Sequence, residues 1–340
     1  MSFAMFSYAF KRVVRSWKLF VALLVGVVLA SAFFSGINIG ADTVAGQVLA
    51  QQLDQVPVDM DVSSGSKVIS PADVASLADS VSRIEGVRGF EVVSRAYGTT
   101  QLQGDTTQTF FSFAGVSNHS RVYDGLEVVD GSQTLGVNET YVDVGSTDAS
   151  RLHVGDVLPL NIVAVRRVGR GAALTVYTTV NLTVAGFVSL SDQSSSIASG
   201  AYRPLGLDVP EAFRMRLGRL QRRLQQNVLI ASWEKTFSGL LDTVYSQSPS
   251  SSPVTMDILL WLDRDALVHP WDISGSLDAL ESVTSQVGNE AAAYGLSATN
   301  HLASVLESYQ ETEFSMKVQM LMLALPVFFV AWYMGLTVSD

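Results

Sequence analysis

Two long apolar runs bracket the chain. The first, LFVALLVGVVLASAFFSGINIGA, extends from Leu19 to Ala41 without a charge. At 1.5 Å per residue, about 23 residues cross a ~30 Å hydrocarbon core with room for tilt. A secretory signal peptide is the competing reading, and Ala30-Ser31-Ala32 resembles a cleavage site. The apolar run continues through Phe33, Phe34 and Ile37, however, which favours a retained span. The second run, Val318 to Val338, is also long enough to span. Pro326 lies inside it, as membrane helices tolerate, and Trp332 and Tyr333 lie near its later end, where interfacial aromatics belong.

Periodicity predicts what flanks and separates these runs. Phe3, Phe6, Phe10, Val13, Trp17 and Phe20 repeat at three and four residues, so residues 1–18 are expected to form an amphipathic helix on the inner membrane surface. Past the first span, Val44, Val48, Leu49, Leu53 and Val56 continue a helical stripe over 42–56. Residues 301–317 run into the second span without a Gly or Pro break. Each span is therefore expected to project as a stalk helix. Between the stalks, VPVDMDVS, SPADVASLADSVSRIEGV and GFEVVSRAYG read as strand, helix, strand, the helix opened by Ser70, Pro71 and Asp73. VTMDILLWLD, DISGSLDALESVTSQVGNEAAAYG and LSATN repeat that order late in the chain.

The two β-α-β units are expected to pair into one α/β subdomain, residues 57–115 and 254–300. Residues 116–253 would then be an inserted β-rich subdomain, mostly antiparallel, built from runs such as ETYVDVG, DVLPLNIVAV and ALTVYTTVNLTVAGFVSL. Ser-rich SLSDQSSSIASG and SQSPSSSP are expected to be loops. Between them lies a basic helix carrying Arg214, Arg216, Arg219, Arg222 and Arg223, read as a solvated face that balances an acidic domain.

Charge orients this layout. Only 16% of residues are charged against 48% hydrophobic, a membrane-attached balance. Lys11, Arg12, Arg15 and Lys18 precede the first acidic residue, Asp42, and by the positive-inside tendency hold the N-terminus in the cytoplasm. The central segment is then extracellular or periplasmic. The acidic remainder of a chain of net charge −10 excludes a nucleic-acid partner, which would demand a basic face. Asn118, Asn138 and Asn181 head N-x-S/T sequons in that segment and are candidate glycosylation acceptors, though chance accounts for one or two.

No cysteine, Walker A motif, dinucleotide-binding glycine pattern or nucleophile elbow occurs. His119, His153, His269 and His301 are isolated in sequence and read as structural. Asp59 and Asp61 alternate on one face of a strand, as paired catalytic acids would, but a solvated sheet edge is the simpler reading. No enzyme, bound cofactor or metal site is expected.

One stretch is more specific. VYDGLEVVDGSQTLGVNETYVDVGSTDASRLHVGDVLPLNI, followed by VNLTVAGFVSL, resembles the external domain of FtsX-like, MacB-type permeases of ABC transporters. The matching elements are Gly125 to Gly131, Tyr141 to Val144, Leu152 to Asp156 with its Gly155-Asp156 turn, and Val184 to Val188. The resemblance implies a membrane α+β protein: span 19–41, an external α/β porter-like subdomain with a β-rich insertion, span 318–338, and a cytoplasmic loop starting at 339–340. It also implies further spans past Asp340, so the sequence is expected to be cut. The implied partners are a cytoplasmic ABC ATPase subunit, which binds the ATP, a second permease chain as homodimer or heterodimer, and membrane lipids. Members move lipoproteins, toxic compounds or peptides, or activate external enzymes. Two alternatives stay open: a two-span receptor with an external ligand-binding domain, and an anchored surface protein that ends at Asp340.

Overall fold

In the computed structural model, the described residues are 46–310 without 66, 68, 103, 105, 118, 119, 169, 170, 203–225, 247–251 and 271, together with 17, 28, 31, 32, 35, 36, 43 and 322. Among them, no helix is long and apolar enough to cross a membrane. The spans expected at 19–41 and 318–338 lie almost wholly outside the described residues. So do Lys11, Arg12, Arg15 and Lys18, the sequon residue Asn118, His119 and the arginine-rich helix.

The chain divides into two units. The smaller comprises residues 1–53, 270–273 and 305–340. Its described parts include helical residues 46–53 and 305–310, with Leu49, Leu306 and Tyr309 buried.

The larger unit, residues 54–269 and 274–304, is a mixed α/β domain around one twisted sheet. Its strands are β1 (Met60–Ser63), β2 (Val87–Thr100), β3 (Thr109–Val116), β4 (Leu126–Gly131), β5 (Glu139–Asp143), β6 (Val157–Val168), β7 (Gly171–Leu190), β8 (Val228–Ser232), β9 (Val254–Leu262) and β10 (Ser297–Asn300). Their order is β10-β1-β9-β2-β3-β8-β5-β7-β4, with β6 bridging β2 and β7. The early and late β-α-β units interleave: β1 lies between β10 and β9, and β9 pairs β2. The sheet then continues through β3 and β8 into the strands of the 116–253 segment.

Alternation along each strand decides which face each side chain takes. Met60 and Val62 are buried on one face of β1; Asp61 and, just before the strand, Asp59 are buried on the other, which half-buried Ser63 shares. Helix α1 (Pro71–Val81) packs on β2 and β9 through a stripe of Val74, Leu77 and Val81. Ser70 caps it by accepting from the Asp73 amide at 3.1 Å. On the β2–β3–β8 region, Val93, Ala114, Val116, Ile230, Leu259 and Trp261 form a core covered by Val122 of the short helix α2 (Arg121–Asp124) and by Ile197 and Ala198.

Ile197 and Ala198 belong to a helix where a loop was expected. Helix α3 (Asp192–Ser199) forms because Ser191 accepts from the Ser194 amide at 3.1 Å, Gly200 closes the far end, and the apolar pair docks on the sheet. Serine competes with helix hydrogen bonds in isolation; here two of the serines cap or bond each other and tertiary burial prevails. Within the 116–253 segment β4–β7, β6–β7 and β5–β8 are antiparallel and β5–β7 is parallel, as is the β3–β8 pair that joins it to the rest of the sheet. Strand β8 leads into a π-helical turn (Trp233–Phe237) and helix α4 (Ser238–Ser246). Phe237 packs on Phe113 with ring centroids 4.6 Å apart. Helices α5 (Arg264–Leu267) and α6 (Ile273–Ala293) complete the element order.

Candidate functional site at the junction of the domain

The chain enters and leaves the sheet side by side. Met60 of β1 and Asn300 of β10 are register partners, and the amides of His301 and Leu302 both donate to the Asp59 carbonyl, at 2.8 and 3.2 Å. The chain before 59 and the chain after 301 therefore join the sheet at one place. That place is built from charges.

Asp59 is 1% exposed. Its Oδ1 accepts from Arg264 Nε at 2.9 Å and Nη2 at 2.6 Å, and its Oδ2 accepts from the Leu262 amide at 2.7 Å. Arg264 Nη2 also donates to the Val56 carbonyl at 3.0 Å, and Trp261 Nε1 donates to the Pro57 carbonyl at 3.2 Å. Three side chains thus hold the incoming strand to the end of β9. A guanidinium fork suits this, because it satisfies one carboxylate oxygen and a carbonyl together.

Two residues along, Asp61 is fully buried and its Oδ1 lies 2.6 Å from His301 Nε2, so the outgoing segment is tied to β1 by a side chain as well as by the ladder. The Tyr202 ring meets the His301 ring edge-on at a centroid distance of 5.6 Å. Tyr202 also accepts from Arg95 Nη2 at 3.1 Å, while Arg95 lies over the same ring and pairs with buried Asp257. Ser63 Oγ donates to Asp257 Oδ1 at 2.5 Å, and Arg95 Nη1 donates to the Ile197 carbonyl at the end of α3 at 2.8 Å. Burial pushes the Tyr202 phenol upward, an effect the Arg95 guanidinium opposes. Arg121 lies 4.1 Å above the Trp261 ring, and its amide donates to Glu91, whose carboxyl is raised by burial.

The expected solvated edge for Asp59 and Asp61 is thereby corrected: the shared face holds, but it is covered, and each carboxylate has a cationic or imidazole partner more than 200 residues away. Buried charges persist only when so compensated. His301 is one of those partners. His269 uses its backbone amide on buried Ser276 at 2.8 Å, and His153 is exposed beside Asp156. Among the described residues, no group of three His, Cys, Asp or Glu side chains is arranged to hold a metal. The chemistry available at the junction is hydrogen bonding and ion pairing between strands.

A second arrangement gathers the motif residues. Gly155 takes φ +94° and its amide donates to the Val184 carbonyl at 2.8 Å, while the Val184 amide donates to the Asp156 carbonyl at 2.9 Å. Asp156 Oδ2 accepts from the His153 amide at 2.8 Å, closing the turn that starts β6 against Thr183. Gly131 and Gly186 are register partners in β4 and β7, so close that a Cβ on Gly131 would lie 2.3 Å from the Ala185 carbonyl oxygen. Tyr141 pairs with Gly186 from the other side. The sequon residue Asn138 is exposed with φ +55°, and Asn181 is exposed opposite Pro159.

No protein-family model matches the chain, and no curated protein matches it either. Among solved structures, it is similar to the extracellular domain of the noncanonic ABC-type transporter YknZ from Gram-positive bacteria. The two are 11% identical, with 71% of this chain and all of that one covered, at a TM-score of 0.30. A domain assigned to a permease protein of Porphyromonas gingivalis is also 11% identical, covering 71% of this chain and 89% of its own, at a TM-score of 0.27. At these scores neither likeness establishes a shared fold.

Proposed function

We propose that the chain is a permease subunit of an ABC transporter of the FtsX-like, MacB type, whose external domain is moved by a cytoplasmic ATPase. The observation that carries this reading is the convergence of the resembling stretches. Gly125 to Gly131, Tyr141 to Val144, Leu152 to Asp156 and Val184 to Val188 are scattered over some sixty residues, yet β4, β5 and the Gly155-Asp156 turn all bond to the same short length of β7. A chance resemblance would not be expected to fold into one unit.

On this reading the membrane segments run at 19–41 and 318–338, with the N-terminus cytoplasmic and the domain outside. The ATPase acts from the cytoplasm, and two permease chains assemble. The domain is a mechanical element, with no catalysis of its own. Motion reaching residues 59 and 301 meets strands already tied by Asp59, Arg264, Asp61 and His301. Such ties transmit displacement into β9 and β2, because a hydrogen-bonded ladder with buried ion pairs resists local fraying.

The test is co-purification of the full-length protein with its co-expressed ATPase subunit in mild detergent. A stable complex with ATPase activity is expected. Failure to associate, with both proteins folded, would overturn the reading in favour of a two-span receptor.

A further inference from the structure

A polar cleft of about 380 Å³ opens at the start of β3, far in sequence from the junction residues. It falls in the range of about 300–1,000 Å³ typical of small-ligand sites. Its floor is fixed by buried Asn227, whose Nδ2 donates to the Phe110 carbonyl at 2.9 Å and to Asp148 Oδ2 at 3.0 Å, and whose Oδ1 accepts from the Asp148 amide at 2.9 Å. One side chain therefore clamps β3, the approach to β8 and the turn before Arg151. The cleft is preorganised.

Its rim differs from its floor. Thr107, Gln108, Thr109 and Gln226 line the cleft, and among the described residues their side chains engage no hydrogen bond of the protein. Each is both donor and acceptor. The charges in the cleft cancel, because Arg151 pairs with Asp148 at 3.3 Å. Phe110 contributes the carbonyl that Asn227 holds.

We infer that this cleft binds a neutral, polyhydroxylated ligand, a mono- or disaccharide unit. Hydroxyls are donor and acceptor at once, which matches two amides and two hydroxyls better than an anion or a cation would. A peptide fits less well, since extended peptides are held by a free strand edge. Here β3 is paired on both sides, by β2 and β8.

The test uses the full chain in a non-glycosidic detergent, with saturation-transfer NMR and calorimetry against cellobiose, maltose and N,N′-diacetylchitobiose. Tetraalanine and inorganic phosphate serve as contrasting probes. At least one disaccharide is expected to bind with a Kd of about millimolar or tighter. Gln108→Ala and Gln226→Ala, both at exposed positions, are expected to weaken it about tenfold or more without altering the circular dichroism spectrum. The inference is overturned if no disaccharide binds at about ten times that concentration, if both variants bind as before, or if only tetraalanine or phosphate binds.

Discussion

Replacing Asp59 by alanine removes the acceptor at the centre of the junction. Two Arg264 donors at 2.9 and 2.6 Å and the Leu262 amide at 2.7 Å lose their partner, in a site that is 1% exposed. Arg264, 30% exposed, recovers part of its loss from water. The Leu262 amide does not. Orphaning a buried amide costs about 1–3 kcal/mol, and breaking a buried ion pair by removing one partner costs about 3–5 kcal/mol. These overlap, so the expected local destabilisation is about 3–4 kcal/mol. Amide hydrogen exchange followed by mass spectrometry reads it directly: protection across 254–268 should fall by about two to three orders of magnitude, since each 1.36 kcal/mol is tenfold. Arg264→Leu should lose at least as much, because it leaves the buried Asp59 carboxylate without its cation, and the double variant should recover part of either loss, because the uncompensated charge is gone. A loss under about 1 kcal/mol in Asp59→Ala would refute the reasoning, for it would mean that the pair is solvated and ties nothing.

Other predictions concern the motif unit. Gly131→Ala, at φ +96° with a carbonyl oxygen 2.3 Å from the new Cβ, should cost more stability than Gly155→Ala, at φ +94° in open space, where only backbone strain of about 1–3 kcal/mol applies; thermal unfolding midpoints decide the order. Tyr141, fully buried and donating to the Ser132 carbonyl at 3.0 Å, has its phenol pushed by burial from 10.0 up to about 12. A raised folded value contributes stability that is complete below pH 10 and is lost as pH rises towards about 12, so denaturation across that window should show a slope that Tyr141→Phe abolishes. Asn138→Gly should be neutral or stabilising, and Asn138→Ala destabilising by about 1 kcal/mol, because φ +55° suits glycine and asparagine; denaturation of the two variants measures both.

Local chemistry was legible where it acts over a few residues. Ser70 capping α1 and Gly155 turning into β6 follow from residue type and spacing, and the alternation of Asp59, Met60, Asp61 and Val62 gave the correct sharing of faces. What the alternation could not give was burial. Whether a carboxylate on a strand meets water or a cation depends on Arg264 and His301, and no periodicity links residues 205 and 240 positions apart. The same limit hid α3: its serines argue for a loop until Ile197 and Ala198 find the sheet. Asn227 was equally silent, one amide before an apolar run, with all its partners distant in sequence.

The absence of cysteine makes the most direct test of the mechanical account simple, since introduced thiols are labelled uniquely. Gln51→Cys and Glu307→Cys, both exposed, report on the segments flanking the domain, and Glu85→Cys with Glu127→Cys reports within it. Distances between spin labels are measured by double electron–electron resonance in the complex with the ATPase, without nucleotide and with ATP under non-hydrolysing conditions. The account predicts that the 51–307 distance distribution shifts on ATP binding while the 85–127 distribution does not. An unchanged 51–307 distribution in a complex that binds ATP would contradict it.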